Sequence, residues 1–384
     1  MRKKEIKIWW LMLILNLFIP SIALSSGFLP GYGTGFNLKG YYKNLFSVSE
    51  TSSGKDYYSD LNRLRVELDI SFNPEISAKA IYDNEVILGE ILNTQEFLFV
   101  KKSEGDVYYD MDSILADNPD LYWRHSIYRL YLTYTDDLIS LTAGRQRIAM
   151  GVGRIWNPED VINPINPVSI ERTERTGVDA VKMDFSINAF SNISFIYVKK
   201  LSGEGYILKG RSKLKGYDLS VMGSRIGHDD YMIGFDFSGY IEGSGFRGEA
   251  TYTFDDKRDD FLRFVLSWDY TFPDTFYILM EYLYNGGNIK DENIFIQPYL
   301  NEITTKNQNF WGIELGYDIT PLFRADNLLI FDVDDKSYFI NPSLKYNIFE
   351  DMDVMIGALL FEGDDKSEYG KFSHLYYAQM QFYF

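Results

Sequence analysis

The charged residues between positions 144 and 175 are the part of this sequence best equipped to act on a polar solute. Five arginines stand against four carboxylates, namely Arg145, Arg147, Arg154, Arg172 and Arg175 against Glu159, Asp160, Glu171 and Glu174. The chemistry that such a set offers is electrostatic, because opposed charges around confined water create a field that favours polar over apolar solutes. Since the two signs nearly balance, we expect weak selectivity with at most a slight preference for anions.

The backbone of this stretch predicts an irregular loop. Three X-Pro pairs end in Pro158, Pro164 and Pro167, and each discourages both helix and strand pairing. The loop also mixes Ile, Val and Trp with its charges, whereas an external loop would be more uniformly polar. We therefore expect residues 149–176 to fold into a lumen, with apolar anchors on the wall and charges at the bore. An ordered external loop is the alternative.

Enzyme chemistry has little support. The three histidines, His125, His228 and His374, lie in separate segments, and none belongs to a nucleophile-elbow or metal-binding pattern. His125 is expected in a loop. Ser373 beside His374 would be the first candidate pair of a hydrolase on a barrel wall, but a histidine at the rim is the simpler interpretation. We expect no catalytic residue, no metal site and no cofactor.

The elements that would hold the loop are β-strands with one apolar and one polar face. From Arg63 to Phe72 every second residue is apolar, and most of the residues between are charged or small. The same alternation recurs from Leu262 to Phe272 and from Trp311 to Asp318. These runs span about ten residues, the length of a tilted membrane strand, whereas strands of soluble proteins are nearer five or six.

Short and long connections alternate, as periplasmic turns and extracellular loops do in outer-membrane barrels. The long ones are residues 47–60, 88–125, 149–176, 285–308 and 362–372. We count about eighteen antiparallel strands, with sixteen as the alternative, and an even number places both termini on the periplasmic side. The expected strands are residues 36–46, 61–72, 76–87, 126–135, 138–148, 177–187, 193–200, 206–214, 217–225, 231–238, 246–254, 261–272, 276–284, 309–318, 322–333, 337–347, 352–361 and 373–384.

The inward faces of these strands carry charges of both signs. The basic candidates are Arg63, Arg65, Arg129, Lys182, Arg247, Arg263 and Lys345; the acidic candidates are Glu67, Asp69, Asp184, Glu249, Asp269, Glu281, Glu314 and Asp353. Mixed signs predict ion pairs between neighbouring strands, whereas a selective filter would need one sign at one height. All of these basic candidates except Lys345 join the loop residues as our candidate pore lining.

Both ends of the chain carry export and assembly signals. Basic residues precede the apolar run 8–19, and Ala23-Leu24-Ser25 fits a cleavage site, so we expect residues 1–25 to be a signal peptide and 26–384 to be the barrel. The last strand alternates apolar and polar residues and ends at Phe384. It resembles the C-terminal assembly signal of outer-membrane barrels, which implies recognition by the barrel-assembly machinery.

The composition agrees with this interpretation. Aromatic residues make up 17% of the chain, as aromatic girdles require, and the mean hydropathy is -0.21 because half of each strand is polar. The sequence has no cysteine, which excludes a lipoprotein anchor and disulfides. A net charge of -17 argues against nucleic acid as a partner. Acidic clusters such as Asp364-Asp365 are expected in surface loops, bridged to lipopolysaccharide by divalent cations.

The segment Gly144-Arg145-Gln146, with the glycine-rich loop after it, is similar to the corresponding segment of alginate-export-type and related porin-like barrels. The likeness covers about thirty residues and implies a barrel of about eighteen strands whose lumen charges guide a solute. The dense run of lumen arginines found in alginate exporters is not reproduced, so alginate itself is not implied.

We therefore expect a porin of a Gram-negative outer membrane, surrounded by lipid and lipopolysaccharide, through which small hydrophilic solutes diffuse passively. Three alternatives stay open. A binding or adhesion barrel would use its long loops, of which 88–125 fits best. A sheath for an electron-carrying partner would need a wide lumen. The third alternative is the hydrolase described above.

Overall fold

The computed structural model describes residues 27–28, 35–50, 54, 56–94, 97–98, 101, 107–172, 174–175, 177–226, 230–256, 258–288 and 303–384. The expected signal peptide, residues 1–25, and His228 lie outside them. Within these ranges, no helix combines the length and the apolar character that a membrane crossing would demand.

Eighteen antiparallel strands form the wall, each paired with its neighbours in sequence. They are β1 (Gly35–Glu50), β2 (Asp56–Ser71), β3 (Ile76–Leu88), β4 (Leu121–Thr135), β5 (Ile139–Gln146), β6 (Val178–Asn188), β7 (Ser191–Lys199), β8 (Glu204–Leu214), β9 (Tyr217–Ile226), β10 (Asp230–Ile241), β11 (Ser244–Phe254), β12 (Phe261–Thr271), β13 (Tyr277–Asn285), β14 (Asn309–Thr320), β15 (Phe323–Asp332), β16 (Tyr338–Phe349), β17 (Met352–Glu362) and β18 (Leu375–Tyr383).

The sheet closes on itself where β18 meets β1. The register runs from Tyr41 opposite Tyr383 to Ser49 opposite Leu375. Gly40 N donates to Phe384 O at 2.9 Å, and Phe384 N donates to Gly40 O at 3.0 Å, so the terminal residue completes the seam. Closure leaves no open edge, which a sheet in lipid must avoid. The expected antiparallel barrel of eighteen strands is confirmed, and each expected strand overlaps one wall strand.

Alternation along each strand separates an outer apolar face from an inner face. On β12, Leu262 and Leu266 are exposed on the outside, whereas Arg263 and Ser267 are buried on the inside. Short turns of two to five residues join strands at one end. At Lys215-Gly216 both residues have positive φ, 50° and 89°, as a type I′ hairpin turn requires. Both described termini of the wall lie at this end.

Two expected loops are shorter than the sequence suggested. The loop predicted at 47–60 is wrong, because β1 and β2 continue as a hairpin in which Glu50 faces Asp56. Ser47 and Ser49 fit the inner face as small polar residues, so the alternation persists beyond the point where hydrophobicity fades. The loop predicted at 88–125 ends earlier, because β4 begins at Leu121. His125 is therefore a strand residue and not a loop residue.

Two short strands extend this wall. Gly27–Phe28 pairs with the start of β1. Asp112–Asn118 pairs with the extracellular part of β4, beside the end of the short strand β5, and so continues the wall where β5 has ended.

Candidate pore and inner loop

The loop between β5 and β6, residues 147–177, crosses the inside of the barrel; we call it the inner loop. The backbone N–H groups of Arg154, Ile155 and Trp156 donate to the Glu281 carboxylate of β13 at 2.8, 2.9 and 2.8 Å. Glu281 is an inward residue on a distant part of the wall, so the loop reaches well across the lumen. The inward third loop predicted from the sequence is confirmed for its described residues, 149–172 and 174–175.

A second wall carboxylate holds the preceding turn. Val152 N donates to Glu249 of β11 at 3.0 Å. Gly151 has a φ of +81°, and a Cβ there would lie 2.1 Å from Glu249 Oε2, so only glycine allows this approach. Glu249 and Glu281 are inner-wall residues, as expected, and the structure gives them the role of anchors for the inner loop.

Apolar packing fixes the same part of the loop. Ile155 and Trp156 are buried, and the ring centroid of Trp156 lies 6.3 Å from that of Phe310. Gly312 of β14 makes room for them, since a Cβ there would lie 2.4 Å from Ile155 Cδ1. The wall residues of this cluster are inward apolar side chains of β1 and β12 to β18, namely Leu45, Val265, Leu279, Leu283, Phe310, Leu328, Ile330, Phe339, Leu359 and Tyr377.

A second apolar cluster holds the loop against β6 to β10. Ile148, Met150 and Ile162 of the loop are buried in it. The wall contributes inward residues Val178, Ala180, Ile196, Val198, Ile207, Met222 and Met232. The inner loop is therefore clamped by apolar contacts on two sectors of the wall.

Glu159 is one polar anchor beside this second cluster. Its carboxylate lies 2.8 Å from Lys209 Nζ, and Lys209 in turn lies 2.5 Å from Asp236. Desolvation, and then the neighbouring Asp236 carboxyl, raise the pKa of Glu159 to about 8 against the effect of Lys209. The side chain is fully buried, so Glu159 braces the loop and presents no charge to open water.

Asp160 braces the loop internally. It pairs with Arg175 and accepts backbone N–H bonds from Ile162 at 3.3 Å and Asn163 at 2.9 Å. Burial raises the pKa of Asp160 to about 6. Arg129 of β4 donates to the backbone oxygen of Arg175 at 3.2 Å and supports the same turn.

The returning arm of the loop is tied to β1 and β2 by ion pairs. Glu171 lies 2.7 Å from Lys43 Nζ and 2.8 Å from Arg63, and Glu174 lies 2.8 Å from Arg65. Desolvation opposes ionisation, but the Arg63 and Lys43 cations prevail and hold the pKa of Glu171 at about 2. The returning arm of the loop is therefore held by ion pairs between its own carboxylates and the cations of β1 and β2.

A cavity of about 140 Å³ lies between this arm and β2 to β5. Its charged lining balances four arginines against four carboxylates: Arg63, Arg65, Arg124, Arg145, Asp83, Glu85, Asp112 and Glu174. The pairs are tight, with Arg65 at 2.6 Å from Asp83. We call this space the charged cavity; its water would be surrounded by opposed charges with no net sign.

A second charged region lies near Tyr277, the first residue of β13, which follows a periplasmic turn; we call it the periplasmic vestibule. Charges from loop and wall act on the Tyr277 hydroxyl, namely Asp269, Glu314, Arg154 and Arg247. Arg247 lies 2.6 Å from Asp269, and Arg172 of the loop lies 3.6 Å from Glu314. The Arg154 side chain is exposed and forms no ion pair with any described residue.

The remaining candidates do not join these two regions. Lys182 pairs with Asp184 along the wall at 2.8 Å. Arg263 bonds Asn285 at 2.6 Å near the extracellular end. Arg147 is exposed and has no ion partner in the described part of the chain. Sequence reasoning missed Lys43, Lys209 and Asp236 as loop anchors, although alternation with buried neighbours places all three on inward faces.

The histidines show no catalytic arrangement in the described ranges. His125 faces outward, and its Nδ1 contacts the Tyr82 hydroxyl. His374 Nδ1 accepts a hydrogen bond from Phe361 N at 3.2 Å, so this atom is engaged by backbone. The searched residues also contain no group of three His, Asp or Glu side chains placed to hold a metal ion.

Neither a protein-family model nor a curated protein matches the sequence. Solved structures do match. OccAB1 of Acinetobacter baumannii has a TM-score of 0.59 at 9% identity, over 91% of this chain and 96% of that one. OccK8 (OprE) of Pseudomonas aeruginosa has 0.56 at 9%, over 91% and 98%. Pseudomonas aeruginosa OpdK, solved with vanillate, has 0.58 at 8%, over 93% and 100%.

These similar proteins are outer-membrane porins, whereas the likeness to alginate-export-type barrels stays a prediction. An identity this low carries the architecture and not the solute. The closed wall of eighteen strands, the inner loop and these similarities together show that this chain has the fold of the outer-membrane porins.

Proposed function

We propose that this protein is an outer-membrane channel through which small hydrophilic solutes diffuse passively. The observation that carries the proposal is the inner loop, which fills the apolar sectors of the lumen and leaves Glu174 at the charged cavity and Arg154 and Arg172 at the periplasmic vestibule. A lumen whose water is in contact with charged groups suits polar solutes, because these can form hydrogen bonds and ion pairs with the lining. Apolar solutes would displace that water without making such contacts.

The balance of charge supports low ion selectivity. In the charged cavity, four arginines face four carboxylates, and most are paired across strands. Paired charges give strong local fields but little net potential at a distance. Arg154 is exposed and has no ion pair among the described residues, so it adds a positive charge at the vestibule and favours a slight preference for anions. OpdK was solved with vanillate, a carboxylate, which is compatible with such a preference.

The lumen argues against a sheath for an electron-carrying partner. Such a partner would need the space that the inner loop occupies with buried residues such as Trp156 and Ile162. The surroundings we propose are those expected from the sequence: outer-membrane lipid, lipopolysaccharide at the acidic extracellular loops, and the barrel-assembly machinery acting on the strand that ends at Phe384.

Planar-bilayer recording tests the proposal directly. The purified protein should give discrete ion-conducting steps, and deleting residues 157–168 should enlarge them because the loop no longer crosses the lumen. Liposome swelling should show that small sugars and amino acids enter at rates that fall with size. The proposal is wrong if neither form conducts although heat-modifiable migration shows a folded barrel. An unchanged conductance after the deletion would mean that the loop does not limit the pore.

A further inference from the structure

The membrane-facing wall carries a groove on β14 to β17. Phe310, Leu328 and Phe339 point into the inner apolar cluster, so the residues that alternate with them on these strands point outward. The groove has a volume of about 660 Å³, and we call it the outer groove. Four compact outward side chains form its floor, with two larger ones beside them: Ala325, Asn327, Pro342 and Ala358, with Leu315 and Ile356.

The outer groove lies at the aromatic rim of the periplasmic end of the wall. Ala325 is the third residue of β15 and faces Tyr317 of β14, which is 41% exposed on the outside. One step nearer the turn, the ring centroids of Phe323 and Tyr346 lie 6.0 Å apart. Outward aromatic rings of this kind mark the boundary between lipid headgroups and hydrocarbon. The groove therefore opens into the periplasmic leaflet, which phospholipid, and not lipopolysaccharide, forms in an outer membrane.

The wall behind the groove is interrupted. In the described chain, the pairing of β16 with β17 stops after Ile340 and resumes in the same register at Ser343. Pro342 lies in this interval, and proline has no N–H to donate to a ladder. Ladder hydrogen bonds that are missing in the membrane weaken a barrel wall. An apolar chain packed against Pro342 and Ala358 would stabilise the wall through close contacts at the point where the ladder is open.

One polar side chain on the groove floor has no partner. Asn327 Oδ1 is shielded from solvent, and neither Oδ1 nor Nδ2 has a hydrogen-bond partner among the residues that the structure describes. Nδ2 is not among the shielded atoms, so its N–H groups can reach a ligand in the groove. An unpaired amide in apolar surroundings is unfavourable. A ligand that brings one acceptor together with an apolar chain therefore suits both the amide and the groove.

We propose that the outer groove binds one ester-linked acyl chain of a phospholipid from the periplasmic leaflet. The chain lies over Ala325, Pro342 and Ala358, and its ester carbonyl accepts a hydrogen bond from Asn327 Nδ2. Neighbouring strands are about 4.8 Å apart, so β14 to β17 offer a groove about 14 Å long, which accommodates much of an extended acyl chain.

The bilayer itself supplies this ligand. The groove is continuous with the surface that the barrel already presents to lipid, so a chain enters it without crossing water. Ester carbonyls lie at the boundary between headgroups and hydrocarbon, which is the depth of Asn327, two residues beyond Ala325. The inference rests on the proposed outer-membrane location and not on conduction. A protein that retains the lipid but does not conduct would contradict the proposed channel and leave the groove assignment standing.

Filling the groove tests the proposal. In native mass spectrometry from gentle detergent, the unmodified protein should retain one phospholipid, and Ala325→Phe should retain at least tenfold less. Ala78→Phe is the matched control and should retain the lipid, because Ala78 also points outward as the third residue of a strand after a periplasmic turn. Heat-modifiable migration confirms that the variants fold. Equal retention by all three proteins, or retention of lipopolysaccharide in place of phospholipid, would overturn the proposal.

Photolabelling locates the chain without any change to the protein. In vesicles of phosphatidylethanolamine with a diazirine on one acyl chain, labels should concentrate on β15 to β17. Unlabelled ester-linked lipid should compete about fivefold better than its ether-linked analogue, which lacks the carbonyl; this is the change expected for one neutral hydrogen bond. Asn327→Leu should abolish the difference, whereas Asn44→Leu, which removes an outward asparagine of β1, should not. Labels spread evenly around the wall would overturn the groove as the site, and equal competition by the two lipids would overturn the ester contact.

Discussion

Replacing Glu281 should loosen the inner loop more than any other single change of a wall residue. Its carboxylate accepts three backbone N–H bonds from residues 154 to 156. A hydrogen bond to a charged group contributes about 1.5–3 kcal/mol net, so three contribute at least about 4 kcal/mol. Since about 1.4 kcal/mol is a factor of ten, Glu281→Leu should raise the population of the released segment roughly a thousandfold.

Trp156 reports the release. It is buried against Phe310, whereas Trp268 and Trp311 are exposed on the outer face. In a variant in which Trp123, Trp268 and Trp311 are phenylalanine, Glu281→Leu should shift Trp156 emission to the red and increase its quenching by acrylamide. Glu281→Gln keeps an acceptor oxygen and should show a smaller effect. Single-channel noise should rise in the same order.

Glu67→Leu is the matched control for loss of an inner-wall carboxylate. Glu67 lies on β2 and pairs with Lys39 and Lys79 at 3.7 and 3.4 Å, away from the inner loop. Trp156 should stay protected in that variant. If Trp156 is equally protected in Glu281→Leu and Glu67→Leu, the carboxylate does not hold the loop and our assignment of Glu281 is wrong.

Three further predictions follow from other contacts. Phe384→Asp should sharply reduce the heat-modifiable, folded form, because it replaces the aromatic ring that lies against Gly40 at the seam with a charged side chain; normal yield would contradict this. The pKa of Glu159 is raised to about 8, so its contribution to holding the loop is complete below the ordinary value of 4.5 and is lost as pH rises through 8. Channel noise should therefore increase between about pH 5 and 8 and level off above pH 8, and it should not change in Glu159→Gln; equal responses of the two proteins would refute the prediction. Arg154→Ala with Arg172→Ala should move the reversal potential toward cations in a salt gradient, whereas Lys182→Ala, which removes a wall cation paired with Asp184, should move it less.

The wall could be predicted from sequence because its rule is local. Alternation of period two needs only neighbouring residues, and it located all eighteen strands. It failed at residues 47–60 and 121–125, where outward residues such as Asp60 and His125 are polar. The sequence rule therefore fails where the outward face of the wall departs from a uniformly apolar surface.

The apolar sectors of the lumen could not be predicted from alternation. Phe310, Ile330 and Phe339 point inward, against the expectation of a polar interior, because Ile155 and Trp156 cover their sector. That pairing joins residues more than 150 positions apart, and nothing in either segment identifies the other. The inward loop itself was predictable, since its apolar residues among prolines and charges had no use on an external surface.

Some charges of the inner loop are buried as anchors and others are exposed to the lumen, and this difference gives the expected ion selectivity a new physical reason. Of the four carboxylates assigned to the bore, Glu159 and Asp160 are buried braces, and Glu171 and Glu174 are tied to cations of β1 and β2. Within the part of the chain that the structure describes, Arg154 is exposed without an ion pair, and Arg172 has one ion contact, with Glu314 at 3.6 Å. The acids hold the loop in place, whereas Arg154 faces water and Arg172 is partly exposed. The slight preference for anions then arises because the anchoring charges are mostly acidic and the exposed ones are basic. It does not arise from the near-equal numbers of acidic and basic residues in the loop sequence.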